Sequence, residues 1–369
     1  MEAVWVAPGA ILIFIVLWDA FETVVLPRRV TRRIGLARLF YRYTWLAYSS
    51  FVIKALPRKR HESFLSYYGP LSLLALVGLW AAGLVTGYAF LYMSAGRGLN
   101  DPTGSAEFLK NLYFSGTTFF TLGLGDIAPT TSSARFLVVS EVGIGFAFLA
   151  LIIGYFPSLN QSFSHREVSI TLLDARAGSP PTAVEMLRRH GDEAGREALR
   201  LLFHEWERWA SELLESHLSY PVLAYFRSQH ENQSWLAALT AILDACALSM
   251  TGIEGSCRRQ AERTFAMTRH AVVDLAIIFD TPPRDPETDR LSQTDLEEIR
   301  TILAAAGVKL GKGAGDMLAE LRGMYEPFVH SLSRHMRLGI PPFMMKTRQK
   351  DNWETSAWDA SLRRGDKHF

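Results

Sequence analysis

Three long apolar runs constrain this chain more than any other feature: Val4–Leu26, Leu65–Met93 and Phe136–Phe156. A helix needs about 20 apolar residues to cross the hydrocarbon core of a bilayer, and each run supplies them. No water reaches the backbone there, so a spanning segment has to close its own hydrogen bonds, as a helix does. Beyond Phe156 the chain is charged and amphipathic. The 369 residues therefore read as a membrane part followed by a helical part with the composition of a soluble protein. Net charge is only +2, which gives no general attraction for nucleic acid; the arginines gather beside the apolar runs instead. Cys246 and Cys257 stand at no metal-site spacing and read as free thiols of a reducing compartment. A secretory signal is not expected, because the N-terminus lacks a basic region and Asp19 and Glu22 interrupt the stretch where cleavage would fall.

Between the second and third runs lies Thr121-Leu122-Gly123-Leu124-Gly125-Asp126. Glycines at alternate positions let a backbone extend with its carbonyls turned to one side, the arrangement that replaces water around a dehydrated cation. The segment before it reads as a short amphipathic helix over 106–120. Ser105 is placed to cap that helix, Asp101-Pro102 to make the preceding turn, and Leu109, Leu112 and Tyr113 share a face.

On these residues the chain resembles the tetrameric potassium channel family, whose consensus filter is TVGYGD between an outer and an inner helix. The resemblance covers about residues 66–157. Leu122 and Leu124 depart from the consensus, standing where it has Val and Tyr. Gly-Leu-Gly-Asp is nevertheless similar to the second pore loop of some animal two-pore-domain potassium channels. The resemblance implies a homotetramer, since one loop cannot enclose a conduction path. It further implies that the main-chain oxygens of Thr121, Leu122, Gly123 and Leu124, with the Thr121 hydroxyl, form stacked K+ sites. Gly125 would turn the chain at the outer mouth, and Asp126 would sit behind the filter or at its entrance.

Filter support is expected from Thr117, Thr118 and Glu141. Two readings stand open for Glu141: a brace reaching Ser115, Thr117 or Thr118, protonated or not, or an acid near enough to the outer interface to meet water. Gly145 falls near the family's gating hinge, with close helix packing as its alternative; Gly143 is read as packing. Asp19 and Glu22 share a face of the first helix. They are expected to pair with Arg38 or Arg42, or to cap near the interface, in preference to a role in permeation.

Charge sets the expected topology. The run Ile34–Leu56 is flanked by Arg28, Arg29, Arg32 and Arg33 on one side and by Arg58, Lys59 and Arg60 on the other. Crossing would put one cluster outside, so the segment is expected along the inner surface, as a basic helix with aromatic residues favours. The N-terminus is then outside, and everything beyond His165-Arg166 is cytoplasmic.

That second half shows helical spacing over Arg196–His217, Glu231–Thr251, Arg258–Phe279, Leu296–Leu310 and Asp316–Arg337. Thr294 with Glu297 suggests a capping box, and Pro327 a kink. Trp235–Ile253 is nearly uncharged around Asp244, yet crossing would strand Arg258-Arg259 outside, so a buried bundle helix is expected. The alternation of strands and helices typical of a nucleotide-sensing domain is missing. Gly311–Asp316 lacks the ending of a phosphate loop, His204-Glu205 lacks the second His of a metalloprotease, and Asp280–Asp289 does not match a calcium loop. Asn232-Gln233-Ser234 is a glycosylation sequon by pattern only.

The expectation is an all-α membrane protein with an N-terminal transmembrane helix in 1–33 and an interfacial amphipathic helix in 34–62. A pore domain follows in 63–158, with outer helix 65–93, pore helix 106–120, filter 121–126 and inner helix 135–157. A cytoplasmic helical domain (159–340) and a polar tail (341–369), unstructured or docked on a partner, complete the chain. Its expected function is passive, K+-selective conduction across the plasma (inner) membrane, with no catalytic residues, no cofactor and no metal beyond permeant K+. Partners are the bilayer and an unidentified regulator. A nonselective cation pore loosened by Leu122 and Leu124, and a non-conducting scaffold, remain the alternatives.

Overall fold

The computed structural model describes residues 2–26, 35–95, 98–100, 107–228, 233–286, 288–346, 351 and 354. It is an all-α membrane protein. The chain separates into two compact units, Met1–Gln161 and Ser162–Phe369.

In the first unit, α1 (Val6–Ala20) ends in one wider turn, Phe21–Val25. After α2 (Leu36–Ala55) comes the long α3 (His61–Ser94), then α4 (Glu107–Phe119) and α5 (Ser132–Ala177). The short strands β1 (Leu99–Asn100) and β2 (Ala128–Pro129) pair antiparallel on either side of α4.

α1 lies antiparallel on the far half of α3: Trp5 stacks on Phe90, and Asp19 meets Trp80. The contact is close because glycine makes room. A Cβ on Gly87 would stand 2.6 Å from Ile13, and one on Gly9 would stand 2.7 Å from the Gly87 carbonyl.

α2 lies antiparallel on the near half of α3, through Thr44 to the Tyr68 hydroxyl (2.8 Å) and the Tyr48 hydroxyl to the Phe64 carbonyl (2.7 Å). Asp19 joins the three helices. Its buried carboxylate accepts from the Ala37 amide at 3.1 Å and from the Trp80 indole at 2.8 Å, so it caps α2 from another helix. Of the roles expected for Asp19, capping is the one the geometry displays.

Several expectations change. α5 continues about twenty residues past Phe156, with Pro157 inside it. Polarity ends the apolar run there but not the helix, whose later turns bury Leu159, Ile170 and Leu173. The capping box belongs to Ser292 and Asp295, not to Thr294 and Glu297. Pro327 opens a new helix, as proline does in a first turn, so the expected fifth helix is two: α11 (Ala314–Gly323) and α12 (Glu326–Met336). Ser105, Asp101-Pro102, the 28–33 arginines and Asn232 lie outside the described residues.

The second unit is a helical bundle of α6 (Ala183–Arg189), α7 (Glu193–Ser219), α8 (Trp235–Gly252), α9 (Gly255–Ile278), α10 (Gln293–Ala305), α11 and α12, with the end of α5. Ser234 caps α8 by accepting from Ala237 N, and the alanine-rich helix is buried from Trp235 through Ser249. At its centre Asp244 takes Arg290 and the Tyr325 hydroxyl, both at 2.5 Å. Arg290 also binds Glu326 at 2.9 Å, and Arg322 binds Asp289 and Glu326. The charged cluster replaces water by pairing, which a buried charge requires. Both guanidiniums lie over the Phe343 ring, at 5.0 and 5.4 Å. Phe343 and Met344 are buried and Asp351 pairs with Arg189, so the start of the tail docks on its own chain.

Candidate functional site

α4 delivers the chain to the Thr121–Asp126 loop. Its buried face is Asn111, Phe114, Ser115 and Thr118, whereas Leu109 and Tyr113 of the expected face are exposed in the single chain. At the C-terminus of α4, Phe120, Thr121 and Leu122 donate to the carbonyls of Gly116, Thr118 and Thr117 (3.1, 3.0 and 2.8 Å), which winds the helix down and releases the backbone. The Thr117 hydroxyl turns back to Phe114 O at 2.9 Å, and no described bond joins Thr117 or Thr118 to Glu141.

The sign of φ then alternates along the loop. Thr121, Gly123 and Gly125 have φ of +57°, +56° and +79°, while Leu122 and Leu124 between them are not among the positive-φ residues. Alternation of left- and right-handed residues puts successive N–H groups on one side of a strand, and hence successive carbonyls on the other. A carbonyl row of that kind suits a bare cation. Thr121 is the costly member, since a β-branched residue rarely adopts this region. Leu122 and Leu124 are 62% and 63% exposed, and residues 120–126 are open to the surroundings of the single chain.

Three ties hold the loop. Tyr113 donates its hydroxyl to Asp126 at 2.9 Å, fixing the Asp126 end of the loop to α4. The β1–β2 pair and the bond from Thr130 N to Gly98 O (2.8 Å) return the chain to the end of α3. Behind α4, fully buried Glu141 of α5 is hydrogen-bonded to Ser115 through one carboxyl oxygen and accepts from the Tyr92 hydroxyl of α3 at 2.8 Å through the other. Full burial leaves no room for the water-reaching reading of Glu141. Sequence reasoning named Ser115 as a partner but missed Tyr92 and the Tyr113–Asp126 bond. Tyr92 is 49 residues from Glu141, and only its place on the last turns of an apolar helix marked it.

Gly145 is buried, and a Cβ there would stand 2.6 Å from the Phe119 carbonyl, so α5 crosses directly beneath the end of α4. That is close packing, one of the two readings held for it. Gly143, expected to pack, meets nothing within 4 Å in this chain. Among the described residues no group of three or more His, Cys, Asp or Glu is arranged to hold a metal ion.

Comparison with known proteins places this geometry. Residues 76–161 match the family described as "Ion channel". The chain is also 24% identical over 199 residues to the uncharacterized membrane protein YdjJ of Bacillus subtilis (strain 168), covering 52% of this chain and 56% of that protein. It thus spans little more than half the length of that relative. No solved structure matches it. The Thr121–Asp126 loop, carried between two membrane-length helices, falls inside the matched segment, and residues 76–161 are similar to the ion channel family.

Proposed function

We propose that the chain is a potassium channel whose homotetrameric pore conducts passively through the Thr121–Asp126 loop. The observation that carries this reading is the alternating sign of φ along residues 121–125, a backbone pattern that suits a row of main-chain carbonyl ligands, with the Thr121 hydroxyl at its start. Four such rows facing one axis would strip and replace the hydration shell of K+. The apolar face that α5 leaves exposed, with Phe136, Val139, Phe146 and Ile153 each 59% exposed or more, supports assembly with further copies. Asp126 at the outer end attracts cations, and Thr117, Thr118 and Glu141 back the filter. Gly145 serves as the joint of inner helix and pore helix, whether or not it also bends as a hinge. The N-terminus lies outside and the second unit in the cytoplasm of a plasma membrane, following the arginines. No reaction is catalysed and no cofactor is needed.

Purified protein in K+-loaded vesicles tests this. Barium-sensitive flux that prefers K+ over Na+ is expected. Equal permeability to both ions would make the pore nonselective, through the loosely packed Leu122 and Leu124. Absence of any flux would leave a membrane scaffold.

A further inference from the structure

Ser115 is fully buried and carries one hydroxyl proton, yet its Oγ lies within hydrogen-bond distance of two oxygens. One is the Val85 carbonyl of α3, at 2.8 Å, which can only accept. The other is Oε1 of Glu141. A single proton cannot fill both contacts, and an unfilled pair of oxygens so close would repel. The remaining carboxyl oxygen, Oε2, already accepts from Tyr92 and contributes no proton. The missing proton has one place to come from.

We infer that Glu141 is held as the neutral acid and donates its proton to Ser115, which donates in turn to Val85. The chain of donors runs from α5 through α4 to α3. Tyr92 closes it from α3 onto the same carboxyl, so the pore helix is clamped from both sides by groups whose every proton is used. The other polar groups near the carboxyl are neutral as well: Tyr88 of α3 and Ser140 of α5, 3.1 Å apart. No described ion pair brings a cation to Glu141, so an ionised carboxylate would stand in an apolar site without a counter-charge. Glu141 is thus a positioning residue for the loop above α4. This deepens the channel reading and rests on it only for the effect on current.

The experiment compares wild type with Glu141→Gln in lipid vesicles at neutral pH, by infrared difference spectroscopy and by K+ flux. Glutamine reproduces the neutral acid, with an N–H for Ser115 and a carbonyl for Tyr92. The wild type is expected to show the carbonyl band of a protonated carboxyl, lost in Glu141→Gln, and flux is expected to survive in Glu141→Gln but be lost in Glu141→Ala. A difference spectrum holding only carboxylate bands would overturn the inference, and undiminished flux in Glu141→Ala would overturn the positioning role. Wild type that shows the protonated band but carries no K+ would refute the channel reading and leave the bound proton standing.

Discussion

Two of the four described helices that are apolar enough to cross a bilayer have opposite surroundings. α5 carries the most hydrophobic window, mean hydropathy 2.5, and only 11% of that window is covered by the rest of the chain. α8 reaches 1.4, and 83% of its window is covered. The first presents its apolar surface outward and needs lipid or other copies to cover it; the second is already enclosed by its own unit. Apolar length states that a segment must be hidden from water, not what hides it. The charged residues make the difference visible. Asp244 in α8 has a designed set of partners in Arg290 and Tyr325, which only a folded bundle supplies, while Glu141 in α5 has hydroxyls alone.

If the contrast is right, damage in the two regions has different symptoms. Gly123→Ala or Gly125→Ala should abolish K+ flux while costing the chain no more than about 1–2 kcal/mol of backbone strain, because the new Cβ meets nothing within 4 Å and only the positive φ is penalised. A large loss of thermal stability in detergent would break the contrast. Arg290→Met should do the reverse, destabilising the second unit by about 3–5 kcal/mol as Asp244 and Glu326 lose their shared cation in a buried site. Chemical denaturation followed by tryptophan fluorescence measures it; a change below about 1 kcal/mol would mean the cluster is not buried as described.

A third test sharpens the picture of the enclosed unit. Burial, and then the Arg166 guanidinium 3.4 Å away, hold the His217 imidazole down at about 3, against an ordinary 6.5. The unfolded state therefore takes up a proton that the folded state refuses. Stability should fall as pH drops from 6.5 toward 3, by about 1.4 kcal/mol per pH unit from this residue, and His217→Gln should flatten that slope. Arg166 itself is buried and donates to the carbonyls of Leu223 and Phe226, so it is fixed independently of the histidine. The smallest effect separates two serine and threonine positions. Ser292→Ala should cost about 1 kcal/mol through its lost cap, and Thr294→Ala less than about 0.5 kcal/mol.

What could be read from the residues follows the range of the forces involved. The turn of the backbone at 121–126 was legible because its glycines mark positions of positive φ locally. Helix existence was legible from periodicity, and the buried state of α8 from the arginines that follow it. The Asp19 cap on Ala37 was reachable only as a general expectation, since nothing local shows which helix start an acid will meet across a connection. Tyr92 and Tyr113 were missed for the same reason: a hydroxyl on an apolar helix announces no partner. The helix extension past Pro157 was missed because hydropathy reports the end of the lipid-like stretch, and the next turns are held by Leu159 and Ile170 packing within protein. Ser292 lost to Thr294 because both fit the spacing of a cap, and two residues decide between them.

The sign changes of φ along residues 121–125 have a consequence for how this segment tolerates variation. Odd-numbered positions carry the handedness and even-numbered ones project into the neighbourhood, so a saturation library across the loop should give a striped fitness map. Substitutions at 122 and 124 should be accepted, while those at the intervening residues should not.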